Sequence, residues 1–240
     1  MVSGVDILCL TAHPDDVEIS AAGTVLHHAA LGRTVGIVDL TVGELGTRGN
    51  GPLRQAEAEA ARLVLGAAFR YQLDLPDGFF RADRETLMKV VEVVRRHRPR
   101  LVITNAVRDR HPDHGRASAL VTEACFLSGL PKVVTTADGV PQAAHRPLHV
   151  LHMVQDRWID PQVIVDVSAF WPRKLEALRC FASQFHDPES TEPLTPIAGR
   201  EFFDVLEGRA RAMGRLIGVE FGEGFTTARP VGVGDLLSLS

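Results

Sequence analysis

The chain has 240 residues, 45% of them hydrophobic, which is ample for the core of one α/β domain spanning residues 1–240. A formal charge of −4 carries no basic excess of the kind that binds a phosphate backbone, so nucleic acid is excluded as an expected partner. The longest apolar runs are strand-sized and the first residues lack the pattern of a secretory signal, so a cytoplasmic protein with no membrane association is expected.

A first strand is predicted over 5–10 (VDILCL), followed by the turn AHPDD and a helix over 18–32 that ends at Gly32. A second strand covers 34–40, and the loop TVGELGTRG leads to a helix over 52–66, opened by Pro52 and closed by Gly66. A third strand is expected over 69–75. Leu87, Val90, Val91 and Val94 then follow helical spacing, and LVITNA makes a fourth strand over 101–106. The second half is less regular: strands over 149–155 and 163–168, and helices near 170–186 and 198–218. Between those helices, 186–199 is a loop rich in Pro, Ser and Thr. Strands alternating with helices predict a Rossmann-like three-layer α/β sandwich with a mostly parallel sheet and right-handed crossovers.

Cys9, Cys125 and Cys180 are odd in number, far apart and without CxxC spacing, which predicts buried, reduced thiols. The ten histidines are more informative. Ligands of an open parallel sheet collect at the carboxyl ends of its strands, and two clusters fall there: AHPDD after the first strand and RHPDH (110–114) after the fourth. His13 and Asp16 are three residues apart on one turn, so both can converge on a cation. His111, Asp113 and His114 complete five possible donors, more than the three protein ligands of a catalytic zinc. Nitrogen and carboxylate donors without thiolate suit zinc, with Fe2+, Mn2+ or Co2+ also compatible. A helix-capping turn explains one such cluster but poorly explains two at equivalent places. His27, His28, His97 and His186 lie apart from clustered carboxylates and are read as structural.

AHPDD after the first strand, TVGELGTRG after the second and HPDH after the fourth resemble the LmbE/PIG-L family of metal-dependent N-acetylglucosaminyl deacetylases. RCFASQF (179–185) and GVEFGEGF (218–225) are closer to its bacillithiol-biosynthesis branch, which deacetylates N-acetylglucosaminyl-malate. The resemblance implies an LmbE-like fold with one Zn2+ per chain, held by His13, Asp16 and His114. It makes Asp15 the general base toward a metal-activated water, and places His111 near the scissile amide with Asp113 orienting or tuning it. A protonated His111 is the expected oxyanion donor, since Asp113 would favour its charged form. Glu44, Arg54 and Asp77 are implied at the sugar hydroxyls, and a homo-oligomer, in hexameric form, as the assembly. For a malate aglycone, Arg48, Arg110 and Arg146 are the cations available. The sole tyrosine, Tyr71, belongs to a predicted strand and is a poor candidate for an oxyanion donor.

Two rival readings are weaker. A two-metal phosphohydrolase needs more bridging carboxylates than the second cluster supplies. A non-catalytic dinucleotide-binding module needs a glycine-rich first turn, whereas HPDD would repel a phosphate.

Overall fold

Every residue of β1 (Ile7–Thr11) is buried, and its side chains divide between two cores. Leu8 and Leu10 pack with Val90, Val94, Leu120 and Val121, while Ile7 and Cys9 pack with Val25, Ile37 and Ala177. A strand covered on both faces reads as a continuous apolar run, as VDILCL does. The computed structural model describes residues 4–185 and 191–238; His186 and the start of the expected 186–199 loop lie outside them.

From β1 the chain passes through α1 (Asp16–Ser20), α2 (Ala22–Ala30), β2 (Val35–Asp39), α3 (Gly51–Leu65), β3 (Phe69–Gln72), α4 (Arg84–His97) and β4 (Leu101–Thr104). Next come α5 (Pro112–Ser128), a small hairpin of β5 (Thr136–Ala137) and β6 (Val140–Pro141), β7 (His149–Met153) and β8 (Val163–Asp166). The described chain closes with α6 (Trp171–Arg179), α7 (Phe202–Leu216) and β9 (Gly222–Thr227), with short 3₁₀ turns at Ser168–Phe170 and Leu236–Ser238.

Seven strands form one sheet in the order β3-β2-β1-β4-β7-β9-β8. The first five run parallel, in register from Ile7↔Val35 and Ile7↔Leu101 outward, and β9 is antiparallel to both β7 and β8. Helices cover both faces, as the three-layer expectation requires. The strand order reverses between β1 and β4, so the turns leaving those two strands border the crevice where such sheets bind ligands. AHPDD and RHPDH are those turns.

Three local expectations are corrected. The helix over 18–32 breaks at Ala21 (φ −142°, ψ 7°), because Glu223 intercepts the start of α2: its carboxylate accepts from Gly23 N at 2.9 Å and Thr24 N at 2.7 Å. The helix near 170–186 ends at Arg179, and that near 198–218 covers only Phe202–Leu216. The strand β9 is hidden in the sequence by its glycines. A Cβ on Gly222 would lie 2.8 Å from Ile164 Cγ2 and 2.9 Å from Gly214 N, so this strand trades side chains for close approach to α7.

The cysteine expectation holds for Cys9 and Cys125, which are free and buried, whereas Cys180 is free and only partly buried. Among the described residues no helix is long and apolar enough to cross a membrane.

Candidate metal and hydrolytic site

Asp16, the first residue of α1, is the hub of the site. Its Oδ1 is 3.0 Å from His114 Nε2 and its Oδ2 is 3.6 Å from His13 Nδ1. The carboxylate is aimed by two amides: Asn105 Nδ2 donates to Oδ2 at 2.9 Å and Gln155 Nε2 donates to Oδ1 at 3.0 Å. Asn105 also accepts from Ala12 N at 2.8 Å, which ties the turn after β1 to the end of β4.

Each of these imidazoles has a carboxylate at its other nitrogen. His114 Nδ1 faces Asp109 Oδ2 at 2.5 Å; His13 Nε2 faces Asp77 Oδ1 at 3.0 Å and Asp113 Oδ2 at 3.4 Å. That carboxylate-imidazole pairing fixes which nitrogen is free for a metal. Ligand atoms of His13, His111 and His114 also fall within 4.8 Å of one another, as do those of His13, Asp77 and Asp113. The donor set is nitrogen and oxygen, buried and converging, and it fits a divalent cation without rearrangement of the fold.

The electrostatics show what such a cation would replace. Burial disfavours the His13 imidazolium, but hydrogen bonds with Asp113, Asp16 and Asp77 outweigh it and raise its pKa well above the usual value. Burial likewise opposes charge on His114, yet Asp16 and Asp109 lift it to about 9. Asp16 is held well below the carboxylate range: burial opposes this, and the charge and hydrogen bond of His114 prevail. The surrounding carboxylates thus favour a proton on both imidazoles, where a cation would supply the positive charge instead.

Asp15 differs. Its carboxylate touches none of the imidazoles; Oδ2 accepts from Arg54 Nη2 at 2.9 Å, and the same nitrogen donates to Pro14 O at 2.7 Å. Burial raises the Asp15 pKa against the lowering charge of Arg54, with Asp16 adding to the rise. Its backbone has φ 146° and ψ −17°, a region non-glycine residues rarely enter.

His111 caps α5, with Nδ1 accepting from Asp113 N at 3.3 Å, so its other nitrogen, Nε2, carries the proton in the neutral ring. Burial and the charges of His13 and His114 lower its pKa, and Asp113 only partly offsets them. The Asp113 carboxylate itself turns toward His13, Gly78 N (2.8 Å) and Arg116 (2.6 Å). Burial works against its ionisation, but the hydrogen bonds with His13 and Gly78 N, with the charges of His13 and His111, bring its pKa to about 2.

The three residues expected at sugar hydroxyls bond to protein groups around the site. Arg54 is buried against Asp15; Asp77 holds His13 and Leu45 N; exposed Glu44 accepts from Asp77 N at 2.7 Å. Arg54 and Asp77 still line a cavity of about 330 Å3, in the size range of small-molecule sites, together with His13, Asp15, Asp16 and His111. The residues not foreseen are Asn105, Gln155 and Asp109. Only Asp109 left a trace in the sequence, as an extra acid five positions before His114. Tyr71 is remote, on edge strand β3, and bonded to His97 at 2.8 Å.

Strand order, switch-point crevice and a buried His/Asp cluster put a candidate metal site where the ligands of such α/β sheets bind. The PIG-L family profile, GlcNAc-PI de-N-acetylase, matches residues 8–125. Diacetylchitobiose deacetylase of Thermococcus kodakarensis is 30% identical over 75% of this chain and 70% of its own. The 4-oxalmesaconate hydratase of Pseudomonas putida is 29% identical over 75% and 74%. A probable N-acetyl-alpha-D-glucosaminyl L-malate deacetylase 2 of Bacillus anthracis is 27% identical over 75% and 81%. Among solved structures, the conserved protein TT1542 of Thermus thermophilus superposes with a TM-score of 0.85 at 31% identity, over 97% of this chain and 98% of that one. The chain belongs to the PIG-L/LmbE family, an enzyme family of deacetylases that hydrolyse amides.

Proposed function

We propose that this protein removes the N-acetyl group from an N-acetylglucosaminyl conjugate, using one zinc ion held by His13, Asp16 and His114. The observation that carries the reading is Asp15: a buried carboxylate beside the ligand cluster, free of the imidazoles and lining the cavity. Asp16 is favoured over His111 as third ligand because it faces both imidazoles, while His111 Nδ1 is occupied by Asp113 N.

When bound, the cation supplies Lewis acidity, which polarises an acyl oxygen and acidifies a water. Asp15 takes the proton of that water as the nucleophilic oxygen adds to the acyl carbon. His111 lines the cavity and offers Nε2–H to the developing oxyanion, a role that its neutral form can fill. Asp113 and Asp77 keep His13 in the tautomer that ligates through Nδ1. Collapse breaks the C–N bond as the leaving nitrogen takes up the proton held by Asp15, releasing acetate and the amine.

N-acetylglucosaminyl-malate is the preferred substrate, supported by the similarity to the B. anthracis enzyme and by one arginine. Of three candidates, Arg48 is buried against Glu192 and Phe185 O, and Arg146 stacks on Phe126 away from the site. Arg110 alone of the three lines the cavity, loosely paired with Asp156 at 3.4 Å, and can meet an anionic aglycone. A second reading, hydration of a carboxylate-bearing alkene, is favoured by the similarity to the P. putida hydratase and would use the same base and cation.

Acetate release from a panel of N-acetylglucosaminides, with and without chelator, tests the proposal. Chelator-sensitive release, fastest with the malate conjugate, supports it. Absence of acetate together with loss of 4-oxalmesaconate absorbance would transfer the site to the hydratase reading. Assembly as a homo-oligomer accompanies the proposal, and sedimentation velocity measures it.

A further inference from the structure

We infer that Arg54 is a positioning residue for Asp15, and that Gly43 is the notch that lets its guanidinium reach that carboxylate; this rests on the hydrolytic reading above.

Asp15 needs an external brace. As a non-glycine residue at φ 146° its backbone is strained, and such strain persists only where surrounding contacts impose it. Arg54 Nη2 donates to two consecutive residues, Pro14 through its carbonyl and Asp15 through Oδ2, clamping backbone and side chain together. Among the described residues no hydrogen bond holds Asp15 Oδ1, so the clamp takes one carboxylate oxygen and leaves the other for the proton it must accept.

The guanidinium arrives from the first turn of α3, where Asn50 caps the helix through Leu53 N at 3.0 Å. Its path runs against the loop after β2. A Cβ on Gly43 would lie 2.3 Å from Arg54 Nη1 and 2.8 Å from Cζ, and one on Gly46 would lie 3.3 Å from Nη1. Gly43 also adopts φ +69°. The glycines of TVGELGTRG therefore shape a passage for a side chain. A surface charge would need no such passage, and a residue serving only as a sugar ligand would not spend Nη2 twice on the protein.

The test compares steady-state kinetics and metal content of wild type, Arg54→Lys, Arg54→Gln, Arg54→Ala and Gly43→Ala, plus crystal structures of wild type and Arg54→Gln. Misplacing a catalytic group by about 1 Å costs on the order of 10²-fold. Arg54→Gln and Gly43→Ala should lose kcat by about that factor, and Arg54→Lys by about tenfold, since the shorter lysine places its ammonium short of the Nη2 position that reaches both acceptors. KM and metal content should stay near wild type, guanidinium should restore part of kcat to Arg54→Ala, and Asp15 should leave its position in the Arg54→Gln crystal. The inference is overturned if Arg54→Gln raises KM at unchanged kcat, or if Asp15 stays in place without the arginine. If wild type releases no acetate from any substrate, the functional reading fails on its own, and the crystal comparison still decides what holds Asp15.

Discussion

Asp15 and Asp16 are neighbours in sequence with opposite surroundings: one faces an arginine, the other two imidazoles. Removing each should fail differently. Asp15→Ala is expected to keep its metal, measured by atomic absorption, and to lose about 10²- to 10⁴-fold in kcat, the usual share of a general base. His13→Ala and His114→Ala should lose the metal itself. Asp109→Asn, which leaves His114 its ring but weakens the acceptor behind it, should reduce metal affinity by about 10- to 100-fold in a competition titration. Metal binding must also expel protons. Asp16 and Asp109 push the His114 pKa up to about 9 against its burial, so apparent affinity should rise with pH toward that value. A pH indicator in weak buffer would register the release, and a pH-independent affinity between 6.5 and 9 would contradict the ligand assignment.

At the scale of elements, the site depends on how α1 and α2 are held against the sheet. Glu223 on β9 accepts from the first amides of α2 and from buried Lys174 Nζ at 2.6 Å, so one carboxylate stops a helix and neutralises a cation. Burial pulls the Lys174 pKa down and Glu223 opposes this, which makes the lysine dependent on its partner. Glu223→Ala should therefore destabilise the fold by about 3–5 kcal/mol in urea unfolding, the cost of stranding a buried charge. Arg70 on β3 plays a similar part, joining Glu18 of α1, two residues along the chain from Asp16, at 2.6 Å to Asp39 of β2 at 2.9 Å.

At the scale of the whole molecule, the edge of the sheet sets part of the pH dependence of stability. His97 stacks on Phe69 with centroids 4.2 Å apart and bonds to the Tyr71 hydroxyl. Burial, with some repulsion from Arg96, depresses its pKa from 6.5 to about 4. The unfolded chain then binds more protons between those values, so stability rises with pH from about 4 to 6.5 and is lost as pH falls through that window. With partial exposure discounted, the contribution is on the order of 1–2 kcal/mol. Thermal melts of wild type and His97→Gln across that range should converge at low pH, and parallel curves would show that His97 does not carry the effect.

The sheet's first four strands, the two His/Asp turns and the fold class were all legible in the chain, because each strand and each turn is written within a few consecutive residues. Hydrophobic runs mark buried parallel strands, and a His-Pro-Asp turn keeps its donors together whatever surrounds it. The partners of those donors were not legible. Asn105 and Gln155 reach Asp16 across 89 and 139 positions, and Glu223 interrupts a helix 200 residues away, with no periodicity to announce either. Likewise Arg54, Asp77 and Glu44 could be picked out as charged residues near the site, but their sequence positions could not say that they grip Asp15, His13 and a loop amide. The chain alone determined which atoms are available to hold a cation and move a proton. Only the folded structure decided which carboxylate faces the imidazoles and which faces an arginine, because burial and facing charge are properties of neighbours that the sequence keeps far apart.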